Sequence, residues 1–153
     1  MRPFSVQRAP QLKGKIFLAG DKSIAHRSII LSAITRGKTV IKNFPASKDC
    51  LYTLEAFRKL GIKISLNRGL HSNTVIVRGK GLWGLRKPKS PIFIGDSGTT
   101  LRLLLGILAG QNFSVTLSAG KSLSLRPMLR VTSPLIMMGA IIKSNVKRPA
   151  SGG

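Results

Sequence analysis

The sequence predicts an α/β fold made of repeated βαβαββ units, about two of them, and three observations predict it. Short β-rich runs alternate with helical stretches, glycine and proline punctuate the junctions, and the chain resembles itself at a nearly fixed offset. Ile16-Phe17, Gly20-Asp21 and Arg27 return as Ile92-Phe93, Gly95-Asp96 and Arg102, 75 or 76 residues later. Leu60-Gly61-Ile62 returns as Met138-Gly139-Ala140 at an offset of 78. A shared offset at four places marks an internal repeat.

In the first unit, 14–80, residues 15–19 read as a strand that ends at Gly20. A helix follows over 22–35, with Ile24, Ile30, Leu31 and Ile34 mainly at helical spacing and Gly37 as its stop. The next strand, 39–44, is ended by Pro45. Ser47 then caps a helix with Asp49 in its first turn and Leu51, Leu54, Phe57 and Leu60 as its buried stripe before Gly61. Strands over 62–66 and 74–78 close the unit, and 81–90, with Gly81, Gly84 and Pro88, links it to the next. The second unit, 91–142, repeats the order with a strand over 92–94, a helix over 99–109, a strand over 114–117 and a helix over 127–138. Pro127 suits the first position of that last helix, and Pro134 interrupts or restarts it. Its closing strands are missing, 143–153 loses all pattern, and the expectation is a piece of something longer.

Composition narrows the function classes. Among 153 residues, 42% are hydrophobic, enough for one ordinary domain that buries about 70% of its unfolded surface. The apolar runs 103–110 and 135–142 fall well short of the ~20 residues that cross a bilayer, so no membrane partner is expected. Residues 1–11 lack the apolar core of a secretory signal, and a cytoplasmic location is expected. One cysteine, Cys50, forms no internal disulfide, and with His26 and His71 it offers no metal-ligand spacing. Lys and Arg number 26 against 4 acids, a net charge of +22 that calls for anionic partners. The cations are spread along the chain, densest over 78–89, with no run of five or six, and the eight aromatics do not alternate with them. Nucleic acid is therefore not expected, and small multiply charged substrates are. With only Asp21, Asp49, Glu55 and Asp96 available, a paired-carboxylate hydrolase or an acidic magnesium site has few candidates.

Three motifs carry the chemistry. Gly20-Asp21-Lys22-Ser23-Ile24-Ala25-His26-Arg27 lies where a strand turns into a helix, so backbone N–H groups and the helix dipole favour an anion there. Lys22 adds charge, and Ser23 and Arg27, four apart, share a face; the bland reading is a solvated helix start. Gly95-Asp96-Ser97-Gly98-Thr99-Thr100-Leu101-Arg102 repeats the device, with Gly98 admitting a ligand close to the backbone, or is simply a capped helix. Arg126, just before Pro127, can turn its guanidinium toward the same space. Gly120-Lys121-Ser122 is not a P-loop, because Val115 stands where the first glycine is needed. Cys50 as a nucleophile and His26 as a base have no spacing to support them.

In this order and on this repeat, the motifs resemble the 5-enolpyruvylshikimate-3-phosphate synthase (3-phosphoshikimate 1-carboxyvinyltransferase) family, the glyphosate target of the shikimate pathway. The resemblance covers roughly 14–140 and rests on Gly-Asp-Lys-Ser-Ile-Ala-His-Arg, Ser-Gly-Thr-Thr-Leu-Arg-Leu-Leu and Arg-Pro-Met. UDP-N-acetylglucosamine enolpyruvyl transferase shares the fold but carries Lys-Asn where this chain has Lys22-Ser23. The resemblance implies the inside-out α/β barrel of two three-unit domains, with 1–13 pairing into the other domain, in a monomer when complete. It implies transfer of the enolpyruvyl group of phosphoenolpyruvate to the 5-hydroxyl of shikimate 3-phosphate, with release of phosphate and no metal or organic cofactor. By motif, Lys22 is the catalytic residue and contacts both substrates, Ser23 and Arg27 hold shikimate 3-phosphate, and Gly98 and Arg126 line the phosphoenolpyruvate site.

The chain departs from that pattern at three places: Asp96 where the family usually has Asn, Lys48 where an acid is common, and Ala119-Gly120-Lys121 where Gly-Asp-x is usual. Asp96 is expected to weaken phosphoenolpyruvate binding, and 153 residues without the general acid/base carboxylate of the second domain are expected not to turn over. The rival readings are a basic nucleic-acid-binding module, which explains the charge alone, and the product of a decayed coding region.

Overall fold

The computed structural model describes residues 4–70 and 72–144; His71 and the expected unpatterned tail from 145 onward lie outside the described residues. Its first part is a three-stranded antiparallel sheet covered on one side by two helices. Helix α1 (Lys22–Ile34) leads into β1 (Arg36–Ile41), α2 (Lys48–Lys59) follows, and β2 (Lys63–Asn67) and β3 (Thr74–Lys80) complete the sheet. The strand order is β1-β3-β2, so β3 is central and hydrogen-bonded on both edges. Val75, Val77 and Ile64 point to the helices and are buried, while Arg78, Lys38 and Lys63 point the other way.

The packing of α1 explains which of its faces is buried. Ala25, Ile29 and Ala33 face the core, whereas Ile24 and Leu31 of the expected stripe stay exposed. Small residues let the helix lie close to β3, where a Cβ on Gly79 would run into the Ser32 and Thr35 carbonyls. Thr35, not Gly37, ends α1 by donating its N–H to the Leu31 carbonyl at 3.0 Å, and Gly37 sits inside β1 at φ +106°. On α2 the expected stripe holds: Leu54, Phe57 and Leu60 are fully buried and Leu51 is partly so.

Residues 15–19 form no strand. Ile16, Phe17 and Leu18 are exposed, and their one described tie to the body is the Asn43 side-chain amide donating to the Leu18 carbonyl at 3.4 Å. A strand is defined by its neighbour, and no described segment lies alongside this one to pair with it.

The second part is thinner. β4 (Ile92–Phe93) pairs in parallel with β5 (Leu117–Ser118), two residues each, and α3 (Gly98–Ala109) runs between them. Pairing therefore starts at Leu117, later than the expected 114–117. A four-residue helix α4 (Lys121–Ser124) precedes α5 (Leu129–Met137), which starts two residues past Pro127 with Met128 as its N-cap. Pro134 is accommodated within α5, and α5 has no buried residue. The two parts share one core through Ile92, Ile94, Leu104 and Leu123. No helix of the described residues is long and apolar enough to cross a membrane.

Candidate functional site

The starts of α1, α2 and α3 are held together at one end of the helix layer. Each is capped by its own side chain: Asp21 accepts from the Ile24 N–H at 2.6 Å, Ser47 from Cys50 N–H at 3.4 Å, and Ser97 from Thr100 N–H at 3.3 Å. Lys22 on α1 forms an ion pair with Asp49 on α2, and the Cys50 thiol lies 3.7 Å from the Lys22 carbonyl. Thr100 on α3 donates to the Asp49 carbonyl at 3.4 Å. Three helix dipoles thus point their positive ends at one region, with Lys22 between the first two.

The glycines that open the repeated motif are required by different neighbours. A Cβ at Gly20 would collide with the Asn43 carbonyl, and one at Gly95 (φ +56°) with the Tyr52 ring. Tyr52 in turn stands edge-on to Phe93 at 5.6 Å. Gly98, buried as the first residue of α3, leaves room for the Arg102 guanidinium, whose Nη1 would lie 2.9 Å from an added Cβ.

Behind these starts runs a buried polar chain that links the three helices. His26 Nδ1 is 2.7 Å from Thr53 Oγ1, Thr53 is 2.7 Å from Thr100 Oγ1, and Thr100 is 2.7 Å from Ser97 Oγ. All four residues are fully buried. The Thr100 hydroxyl also lies 3.4 Å from the Asp49 carbonyl, and donor and acceptor roles along the chain follow the His26 tautomer: with the proton on Nδ1, Thr53 accepts from His26 and donates to Thr100. Among the described residues His26 Nε2 has no hydrogen-bond partner. Burial first, then the nearby Lys22 and Arg27 charges, hold the His26 pKa below its ordinary value against the opposing pull of Asp49. Burial likewise pushes the Cys50 thiol up, away from thiolate chemistry.

Of the residues singled out from the sequence, Lys22, Ser23 and Arg27 are all exposed on α1 at this end, and Gly98 opens the neighbouring α3. Arg126 lies in the turn after α4, not at the first turn of the helix expected from Pro127, and its guanidinium reaches the Ser122 hydroxyl at 3.5 Å. No described hydrogen bond joins Arg126 to Lys22. The link between their elements is Asp96, which accepts from the Leu123 N–H at 2.8 Å and packs on Gly120, whose N–H donates to the Gly95 carbonyl at 2.7 Å. The negative charge at position 96 is therefore spent on the start of α4. Thr53 and Arg102 were not singled out from the sequence: Arg102 lay inside a motif, and Thr53 gave no local signal. Among the described residues no group of His, Cys, Asp and Glu could hold a metal ion.

Three comparisons bear on this arrangement. The family model for EPSP synthase (3-phosphoshikimate 1-carboxyvinyltransferase) matches residues 6–151. The 3-phosphoshikimate 1-carboxyvinyltransferase of Pelotomaculum thermopropionicum is 50% identical over 137 residues, which are 90% of this chain and 31% of that protein. Its counterpart in Bacillus licheniformis is 51% identical over 131 residues, 86% of this chain and 30% of the relative. A solved EPSP synthase from Acinetobacter baumannii superposes with a TM-score of 0.80 at 40% identity, covering 89% of this chain and 30% of that one. The chain thus spans a little under a third of the length of the relatives it matches.

Proposed function

Since the chain belongs to the EPSP synthase (3-phosphoshikimate 1-carboxyvinyltransferase) family, we propose that it carries the shikimate 3-phosphate-binding part of an enolpyruvyl transferase. The observation that carries this reading is the convergence of the α1, α2 and α3 starts around Lys22. The whole enzyme would move the enolpyruvyl group of phosphoenolpyruvate to the 5-hydroxyl of shikimate 3-phosphate and release phosphate. It would act as a monomer in the cytoplasm on two soluble anions.

In this reading Ser23 and Arg27, one turn apart on α1, hold shikimate 3-phosphate with a hydroxyl and a guanidinium donor set. Lys22 contacts both substrates as the catalytic residue, and Gly98 and Arg126 line the phosphoenolpyruvate site. Fixing two anions so that a hydroxyl lies against the enol carbon removes much of the entropic barrier, and cations already in place stabilise the departing phosphate. Lys22 is poised by Asp49, which orients its ammonium at the cost of part of its charge. Both substrates are multiply anionic, in keeping with a net charge of +22.

The test is a chimera in which residues 4–144 replace the matching third of the Pelotomaculum thermopropionicum relative. Phosphate release from phosphoenolpyruvate that requires shikimate 3-phosphate, and that disappears in Lys22→Ala, is the expected result; the isolated chain should release none. A chimera that folds but is inactive, or one indifferent to Lys22→Ala, would overturn the reading.

A further inference from the structure

The side of the sheet turned away from the helices carries an unbalanced grid of cations. In the strand register, Lys38 on β1 and Lys63 on β2 both lie directly opposite Arg78 on β3, which makes three cations in one row across three strands. Two residues along, on the same face, Arg36 lies opposite Lys80. All five are exposed. Neighbouring strands lie about 4.8 Å apart, and like charges directly opposite each other destabilise a sheet. No acid offsets them: Asp21, Asp49, Glu55 and Asp96 all lie on helices or immediately before them, and Glu55 pairs with Arg58.

The grid continues past the end of β3. Lys80 Nζ donates to the Gly61 carbonyl at 2.6 Å, and the Arg86 stem lies on Gly61, within 3.4 Å of where a Cβ would be. There Arg86, Lys87 and Lys89 join Lys59 around a shallow cavity of about 360 Å³. Between Lys80 and Arg86 the loop presents Trp83, 72% exposed.

Composition argues against a nucleic-acid partner, but strand register gathers the dispersed cations into rows, and we propose that this sheet face is a binding surface for the phosphate backbone of single-stranded nucleic acid, with Trp83 as a stacking platform for a base. Cations fixed in rows on a sheet, with an open aromatic beside them, are what a flexible polyphosphate carrying flat bases can use. An acidic membrane is a poorer fit, because the apolar part of the cation face is limited to Val40, about half exposed, and the partly buried Ile76, with Leu82 and Trp83 in the following loop, too little to insert among lipids. The surface is separate from the helix starts around Lys22 and does not depend on the enzymatic reading.

The experiment is fluorescence anisotropy of the intact chain with a labelled mixed-sequence single strand of about a dozen nucleotides, titrated between about 50 and 200 mM salt. Five phosphate contacts predict a slope of log affinity against log salt of about −3.5. Arg78→Glu should weaken binding at least about tenfold while raising the thermal midpoint, since it places an acid between Lys38 and Lys63; a merely structural role for Arg78 predicts no such opposition. Trp83→Ala should weaken binding by about tenfold with the salt slope unchanged. The triple reversal Lys38→Glu, Lys63→Glu, Arg78→Glu should abolish binding. Reversing Arg8, Lys13 and Lys15 of the exposed amino-terminal segment changes the charge equally and should cost no more than about threefold. Equal losses from the two triple reversals would overturn the proposal, as would binding to phosphatidylserine vesicles without binding to the oligonucleotide, or no binding at the lowest salt. Shikimate 3-phosphate should leave the titration unchanged.

Discussion

The part of the chain around the three-stranded sheet and the part around β4 and β5 open their first helices in the same way, yet they differ in how much they bury. In the first, Phe57, Leu54, Ile29, Val75 and Val77 are fully enclosed between α1, α2 and the sheet. In the second, α3 buries only Gly98, Thr100 and Leu104, and α5 buries nothing. The difference lies in the β2–β3 hairpin. β3 pairs on both edges and gives α1 and α2 a surface to cover, whereas β4 and β5 offer two residues each. A helix start needs only a local cap, Asp21 in one part and Ser97 in the other, so it survives in both; an enclosed core needs a paired sheet to cover, so the second part adds only Ile92, Ile94, Leu104 and Leu123 to the buried core the two share.

The largest effect that could break this comparison is in the core of the first part. Phe57→Ala should cost about 3–5 kcal/mol in denaturant unfolding, because it empties a fully buried site, and Met137→Ala on the exposed face of α5 should stay within about 0.5 kcal/mol. Similar costs at the two sites would mean that α5 is packed after all. A smaller effect tests the joint between α3 and α4. Asp96→Ala should destabilise by about 1 kcal/mol through loss of the acceptor for the Leu123 N–H, while Asp96→Asn, which keeps that acceptor, should be close to neutral. An equal cost for both would show that the charge, not the hydrogen bond, matters there.

The smallest effect is a pH response confined to the polar chain behind the helix starts. Burial and the neighbouring Lys22 charge hold the His26 pKa below its ordinary value of about 6.5. Below that value the unfolded chain takes up a proton that the folded chain resists. Stability is therefore fully present above about pH 6.5 and is lost as pH falls toward the folded pKa. His26→Asn, which can still donate to Thr53, should flatten the fall in thermal midpoint between pH 7 and pH 5. An undiminished fall in that variant would assign the response to other groups.

How much of this was legible in the sequence follows from the range of each interaction. The α2 helix could be read nearly residue by residue, since Ser47, Asp49 and the Leu54–Phe57 stripe act within a few residues of one another. The starts of α1 and α3 were legible for the same reason, with Lys22, Ser23 and Arg27 on the first and Gly98 opening the second. Strand 15–19 misled, because β-rich composition says nothing about whether a partner strand lies alongside. On α1 the expected stripe is only partly buried: Ile30 is in the core, but Ile24 and Leu31 are exposed because the close approach of Gly79 selects the face of Ala25, Ile29 and Ala33. Thr53 and the cation rows were invisible for a third reason. Both arise from residues far apart in the chain, the first through helix packing and the second through strand register.

The central claim, that the helix starts around Lys22 form a shikimate 3-phosphate site, is tested most directly by calorimetric titration of the chain with shikimate 3-phosphate. The account predicts saturable binding with one site per chain, weakened at least about tenfold in Lys22→Ala and in Arg27→Ala, each of which removes a charge-assisted contact of about 1.5–3 kcal/mol. Absence of saturable binding by the folded chain, or binding that both variants retain in full, would contradict it.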